Sequence, residues 1–372
     1  MSSISHKPEF TFDDVLLLPG HSDIAIEEES IINLGTKLSK AIDLGIPILS
    51  SPMAGVTEFK MAETIASLGG LGIIHPFQSF EQQLGQVSKV KKSNFKVGAA
   101  LVDFSSSGIE HCGRLLKAGA DVISLESPHA DNIQTLKFIR DVKNKYKKIN
   151  LSVAHVVTGD ATEAVIKAGA DSVRVGIGGG SHCTTRLVTG VGRPQLSAVI
   201  ECAKITQKHK VGLISDTGIR YPGDILKAIA CGADAVMIGS LFAATNEAPG
   251  EIITRKGKKY KMSWGSNTET AMLKKQHGYS SSFTITALVS FLRSIKHAIL
   301  NKETENKPTL LEEGVEGLIP YKGSVTEVID HLVSGARRGM WYMGVKDLAE
   351  LHDKSRIVLV TQSTKQENLP RI

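Results

Sequence analysis

The sequence predicts an α/β fold, a (β/α)8 TIM barrel with a long flap insertion after its last strand. Three observations lead there. Eight short β-rich runs, each bounded by glycine or turn residues, recur between residues 47 and 239. Segments with helical spacing of apolar residues separate most of them, and strands alternating with helices argue for parallel βαβ units. A tetrapeptide also repeats. Ala118-Gly119-Ala120-Asp121, Ala168-Gly169-Ala170-Asp171 and Cys231-Gly232-Ala233-Asp234 each close a helical pattern and open an apolar run.

In chain order the runs are 47–53 (IPILSSP), 71–75 (LGIIH), 96–101 (KVGAAL), 121–126 (DVISLE), 150–157 (NLSVAHVV), 171–177 (DSVRVGI), 211–216 (VGLISD) and 234–239 (DAVMIG). Helical spacing is clearest over Ile109–Leu116, Ile133–Val142, Ala161–Ala168 and Leu196–Lys208. In the repeat, the glycine suits a helix C-cap and the aspartate marks the strand start. The alternative architecture is a doubly wound open sheet. It would place a GxGxxG phosphate turn after its first strand, where this chain reads PMAGVTE.

Residues 255–312 break the alternation. They hold KGKKYK, a serine-rich turn at Ser280–Ser282, an apolar amphipathic stretch over Phe283–Leu300 and the polar run NKETENKP. Long insertions on a compact domain are usually functional or disordered, and this one reads as a flap or lid. Residues 1–372 are read as a single barrel domain, with 355–372 as an extended tail.

Apolar residues make up 41% and charged residues 22%, which excludes wholesale disorder and coiled-coil or collagen architecture. No apolar run approaches the roughly 18 residues of a membrane span, and MSSISHKPEF lacks a secretory apolar core. Forty-four basic against 38 acidic residues give a net charge of +6. Without an aromatic-interleaved basic stripe, that charge suits small phosphorylated ligands as well as it suits nucleic acid. Cys112, Cys183, Cys202 and Cys231 form no CxxC pair, as expected of reduced thiols in a cytoplasmic protein. Neither nucleic acid nor membrane is an expected partner.

In such a barrel, chemistry belongs on the loops at the C-terminal strand ends. Those ends carry Ser51-Pro52-Met53, Glu126-Ser127, His155, the segment 176–186, Asp216-Thr217-Gly218 and Gly239-Ser240. The densest is Gly176-Ile-Gly-Gly-Gly-Ser181-His182-Cys183-Thr184-Thr185-Arg186. Its glycines let backbone groups approach a ligand closely. A cysteine is more commonly an inert buried thiol, but glycines and hydroxyls make a poor core. Cys183 therefore reads as a nucleophile with Thr184 and Thr185 as hydroxyl partners. Asp216 could accept from a ribose diol, or cap a helix or pair with a cation. Gly239-Ser240, beside Thr217-Gly218, suits a phosphate held by backbone N–H groups, or is an ordinary tight turn.

These segments together resemble the IMP dehydrogenase / GMP reductase family. The matching stretches are FTFDDVLLLP (10–19), SSPM (50–53), GGLGIIH (69–75), VGAAL (97–101), GIGGGSHCTTR (176–186), TGVGRPQLSAVIECA (189–203), SDTGIRYPGDI (215–225), ADAVMIGS (233–240) and EGVEGLIPYKG (313–323), in family order. The resemblance implies a homotetrameric barrel that binds a purine 5′-monophosphate and a nicotinamide cofactor, NADPH or NAD. It implies that Cys183 attacks C2 of the purine to form a thioimidate while hydride passes between C2 and the nicotinamide. By position, Ser51, Met53, Ser181, Asp216, Thr217, Gly218, Gly239 and Ser240 would hold the nucleotide. Thr185, Glu313 and Tyr279 would manage water or ammonia. Glu126, Ser127, His155 and Gly176 would face the cofactor. The carbonyls of Gly176, Gly178 and Cys183 would hold potassium, a site the tail segment KQEN resembles. Many family dehydrogenases carry a CBS regulatory domain between the second and third strands, but Val87–Lys96 leads straight to VGAAL here.

The first expectation for the reaction is GMP reductase, converting GMP and NADPH to IMP, ammonia and NADP. TGVGRPQLSAVIECA and the short second connection agree with it. The dehydrogenase flap carries an Arg-Tyr pair that activates water, and Gln276-His277-Gly278-Tyr279 retains only the tyrosine. The alternative is IMP dehydrogenase, converting IMP, NAD and water to XMP and NADH, which EGVEGLIPYKG, GIRYPGDI and KQEN resemble. Ala54, Glu126, His155, Thr217 and the segment Trp264–Thr268 depart from the family pattern, leaving open a modified purine nucleotide as substrate. A non-catalytic purine nucleotide sensor is a further reading. The intact Cys183, Thr185 and Glu313 argue against it.

Overall fold

The computed structural model describes residues 7–265 and 314–368. A short strand β1 (Val15–Leu17) and an antiparallel hairpin, β2 (Thr36–Ser39) and β3 (Ile42–Leu44), precede the barrel. The barrel then alternates β4 (Ile48–Ser50), α1 (Phe59–Ser67), β5 (Leu71–Ile74), α2 (Phe80–Lys92), β6 (Val97–Leu101), α3 (Ser106–Lys117), β7 (Val122–Glu126), α4 (Ile133–Lys145), β8 (Leu151–Val156), α5 (Gly159–Ala168) and β9 (Ser172–Val175). It continues through α6 (Thr185–Thr189), α7 (Gln195–His209), β10 (Gly212–Asp216), α8 (Pro222–Ala230) and β11 (Ala235–Ile238). The eight strands β4–β11 form a closed parallel barrel, completed where Val236 of β11 pairs with Ile48 of β4. Each run expected from the sequence contains one of these strands, in order. The connection between β5 and β6 is a single helix, so no CBS domain interrupts it.

The repeated tetrapeptide has a mechanical role at the N-terminal end of the barrel. Gly119, Gly169 and Gly232 adopt φ of +101°, +123° and +104°, a region that L side chains disfavour. The chain leaves each helix there. The following aspartate then accepts a backbone N–H from the preceding strand. Asp121 takes Val97, Asp171 takes Leu151 and Asp234 takes Leu213, at 2.8, 2.8 and 2.7 Å. Lys91 and Lys143 pair with the first two carboxylates. Among the described residues no lysine pairs with Asp234, and burial pushes its carboxyl above the usual range despite the Leu213 N–H.

The barrel interior is a packed core. Leu49, Leu71, Ile73, Ala100, Val122, Ile214, Ala235 and Met237 form one cluster with Leu38, Ile42 and Leu44 of the β2–β3 hairpin. The hairpin therefore plugs the N-terminal end. Thr36 donates to the Asp234 carbonyl at 2.8 Å, and Asn150 donates to Ser39 at 2.9 Å. The approach is close enough that a Cβ on Gly212 would sit 1.9 Å from the Leu38 carbonyl oxygen.

After β11 comes a one-turn helix, α9 (Ser240–Ala243), and then β12 (Ile252–Arg255) and β13 (Lys258–Trp264). These pair antiparallel with each other, and β13 pairs with β14 (Glu316–Pro320). The start of the expected insertion is thus a β-hairpin. Its remainder, 266–313, lies outside the described residues. The tail differs from the extended segment expected. Ile357–Leu359 is a strand paired with β1, and Gln362–Glu367 is a short helix. No described helix is long and apolar enough to cross a membrane.

Candidate active site

A cavity of about 730 Å3 opens at the C-terminal end of the barrel. Ser51, Met53, Glu126, Ser127, His155, Gly176, Gly178, Ser181, Cys183, Thr185, Asp216, Thr217, Gly218, Gly239 and Ser240 all line it. The structure thus brings these candidates together; Thr184, the other hydroxyl partner expected for Cys183, is not among the lining residues, and Glu313 and Tyr279 lie outside the described residues.

Cys183 sits on the loop between β9 and α6. Its Sγ is 3.1 Å from Thr185 Oγ1 in the first turn of α6. The loop backbone is tied in three places. Cys183 N–H donates to the Gly180 carbonyl at 3.0 Å, Arg186 Nε donates to the Ile177 carbonyl at 3.0 Å, and Val315 N–H donates to the His182 carbonyl at 2.9 Å. Cys183 also forms an antiparallel bridge with Gly314. The segment leading into β14 therefore rests against the Cys183 loop. The other thiols, Cys112, Cys202 and Cys231, are driven by burial to about 12, 11 and 12, so they stay protonated. Cys183 is the thiol that the cavity exposes to a ligand.

The candidates for holding a nucleotide are linked to one another by contacts of their own. Ser181 and Ser240 hydroxyls are 3.1 Å apart, joining the loop after β9 to α9. Gly239 lies against Ser51 and Met53, so that a Cβ there would come within 3.3 Å of Met53 Sδ. Thr217 has φ +114° and donates its hydroxyl to Gln195 Oε1 at 3.0 Å. Gln195 Nε2 in turn donates to the Val175 carbonyl at 2.7 Å and Ser215 Oγ at 3.1 Å. Ser127 lines the cavity but spends its hydroxyl locally, donating to the His129 carbonyl at 2.7 Å.

The sequence reading missed a buried charged residue that lines the cavity. Arg174 is 2% exposed and points from β9 between two carboxylates. It ion-pairs with Glu126, and its Nε and Nη2 donate to Asp216 Oδ2 at 3.1 and 2.6 Å. His155 Nε2 reaches the same Asp216 oxygen at 3.2 Å. Burial opposes the Asp216 charge, but Arg174 and His155 outweigh it and hold the carboxyl down at about 2. The signal was present: an arginine in the apolar run DSVRVGI must find a buried anion, because an unpaired buried charge is prohibitively costly. His182, beside Cys183, was also passed over; burial lowers its imidazole below the ordinary value.

A cleft of this size, lined by apolar groups with a few convergent polar ones, suits small ligands. The comparisons say which family built it. The model for the IMP dehydrogenase / GMP reductase domain matches residues 9–371. The chain belongs to this family. Curated relatives named inosine-5′-monophosphate dehydrogenase include those of Borreliella burgdorferi, 34% identical over 98% of this chain and 97% of the relative, and Cryptosporidium parvum, 36% over 96% and 94%. The Methanocaldococcus jannaschii protein of the same name is 33% identical over 99% of this chain and 96% of its own length. Members of the IMP dehydrogenase / GMP reductase family are NAD(P)-dependent oxidoreductases. These relatives favour the dehydrogenase over the reductase that the sequence reading put first.

Proposed function

We propose that this chain is an oxidoreductase of purine nucleoside 5′-monophosphates, acting in the IMP dehydrogenase direction: IMP, NAD and water to XMP and NADH. One observation carries the covalent chemistry. Cys183 Sγ and Thr185 Oγ1 lie 3.1 Å apart on the wall of a cavity that Asp216 also lines. Near-complete matches to dehydrogenases support the direction.

The thiolate of Cys183 adds to C2 of the purine. The C2 hydrogen leaves as hydride, and the resulting thioimidate is opened by water, returning the thiol and releasing the 2-oxo product. A bound nicotinamide supplies the hydride acceptor. Thr185 is placed to pass a proton to or from the sulfur or the attacking water. Asp216 accepts the ribose hydroxyls, with Oδ2 already occupied by Arg174 and His155. Ser181, Gly218, Gly239 and Ser240 form the phosphate corner, with Ser51, Met53 and Thr217 beside it. Glu313 and Tyr279 belong to this proposal as water-handling groups.

The residues present fit a nicotinamide cofactor. The cavity lining includes the apolar side chains of Phe77, Val102 and Phe104 and the carboxylate of Glu126. Apolar groups together with a carboxylate that can accept from a diol suit a nicotinamide riboside, with Ser127, His155 and Gly176 as further candidates to face it. Potassium at the carbonyls of Gly176, Gly178 and Cys183 is part of the proposal. A turn of neutral oxygen donors fits a monovalent cation in kind. The described residues hold no His, Cys, Asp or Glu cluster for a metal ion. A homotetramer and a cytoplasmic location belong to the same reading. The exposed apolar side chains Leu187 and Val191, 86% and 62% exposed beside the nucleophile loop, support association.

Absorbance at 340 nm tests the reading. One arm holds IMP, NAD and potassium; the other holds GMP with NADPH or NADH. Rising absorbance in the first arm is expected, and its loss in Cys183→Ala with IMP still bound. Falling absorbance in the second arm alone would establish the reductase instead. Turnover by Cys183→Ala would remove the covalent mechanism.

A further inference from the structure

Arg186 holds both ends of one loop. Its Nε donates to the Ile177 carbonyl at 3.0 Å, and its Nη2 donates to the Arg193 carbonyl. Ile177 lies just past the end of β9, and Arg193 stands just before α7. Between them run the glycines, Ser181, Cys183 and the whole of α6. One guanidinium therefore clasps this segment where it leaves the barrel and where it returns.

Both posts are fixed by other means. β9 pairs with β8 on one side and β10 on the other. Arg193 ion-pairs with Glu9 and Glu201, and its Nη1 donates to the Val157 carbonyl at 3.1 Å. The segment between the posts lacks such an anchor. α6 is five residues long and has no buried side chain. A helix that short, with no apolar face against the barrel, is not held by packing.

Two glycines make room for the arginine. A Cβ on Gly178 would lie 2.4 Å from Arg186 Cγ, and one on Gly192 would lie 2.6 Å from it. Part of the glycine-rich signature thus accommodates a side chain of the protein itself. No carboxylate among the described residues offsets the Arg186 charge, and Cys183 is near enough to feel it. The arginine is engaged with carbonyls through its planar fork, a geometry that lysine cannot reproduce.

We propose that Arg186 is a positioning residue for the Cys183–Thr185 pair: by clasping the Ile177 and Arg193 carbonyls it fixes α6 and the thiol in the cavity. This rests on the reading of Cys183 as the nucleophile. Asp216, Gly218, Gly239 and Ser240 lie outside the clasped segment, so nucleotide binding depends on the clasp less than the chemical step does.

The test compares the full chain with Arg186→Lys, Arg186→Ala and Gly192→Ala. Turnover is followed at 340 nm with IMP and NAD, or with GMP and NADPH, and IMP binding is followed by calorimetry. In each variant kcat is expected to fall about 100-fold, the scale of a misplacement of about 1 Å, with the IMP dissociation constant nearly unchanged. Arg186→Lys keeps a charge near Cys183 and removes only the fork. Gly192→Ala keeps the arginine and crowds it, and adding Arg186→Ala to it should cost little more. Wild-type kcat in Arg186→Lys would overturn the proposal, because charge alone would then suffice. Unchanged kcat per IMP-binding site, with only a lower unfolding temperature, would also overturn it and leave Arg186 a purely structural role. A wild type that binds IMP but turns over neither nucleotide would overturn the nucleophile reading, and this proposal with it.

Discussion

Arg174 donates to a single oxygen of Asp216 through two nitrogens, Nε at 3.1 Å and Nη2 at 2.6 Å. The same guanidinium pairs with Glu126, so one buried cation serves two carboxylates. Removing it strands both anions. Arg174→Met is expected to lower unfolding free energy by about 3–5 kcal/mol, the usual effect of leaving buried charge uncompensated. Urea denaturation at pH 7 measures it. A loss under about 1 kcal/mol would mean that the carboxylates are neutralised by other groups.

The depressed Asp216 carboxyl makes stability depend on acid. Its folded value is about 2 against an ordinary 3.8, so the unfolded chain binds the proton more readily. The stabilisation is fully present above the unfolded value and is lost as pH falls through the folded one. The contribution is about 2 kcal/mol, disappearing between roughly pH 4 and pH 2. Asp216→Asn should flatten the stability profile in that window, as followed by chemical denaturation at successive pH values. An unchanged slope would show that Arg174 does not hold this carboxylate in solution.

On the proposed reading, Thr185 serves chemistry rather than folding. Thr185→Ala removes the hydroxyl beside Cys183 Sγ, and kcat is expected to fall about 100-fold with IMP affinity nearly intact. Thr185→Ser should restore most of the rate. If Thr185→Ala keeps wild-type kcat, the hydroxyl moves no proton in the slow step.

Gly212→Ala tests the plug. Its Cβ would meet the Leu38 carbonyl oxygen at 1.9 Å, and backbone on both sides leaves little room to yield. Overpacking of this kind costs about 1–3 kcal/mol. Thermal unfolding reads the loss, and the KM for IMP should change little, since the substitution lies at the far end of the barrel. Wild-type stability would show that the hairpin shifts freely.

The barrel was legible because its signals are local. Apolar runs such as VGAAL and DVISLE end at glycine-aspartate corners, and α4, α5 and α7 show clear helical spacing. Features made by distant residues were harder to read. The β2–β3 hairpin and the β12–β13–β14 sheet consist of short strands without a distinctive pattern. The strand Ile357–Leu359 exists because Val15–Leu17, more than 300 residues earlier, offers it an edge. The site followed the same division. Cys183 and its glycines announce themselves within eleven residues, whereas the role of Arg174 depends on partners 42 and 48 positions away. The choice of reaction leaned on Gln276–Tyr279, and the relatives weighed the other way.

The β2–β3 hairpin also bears on the order of events. It stoppers the N-terminal end of the barrel, so Cys183 is approached from the loop side. Whatever leaves after a turnover shares a doorway with whatever enters for the next. Departing molecules therefore use the same side of the barrel that arriving ones need.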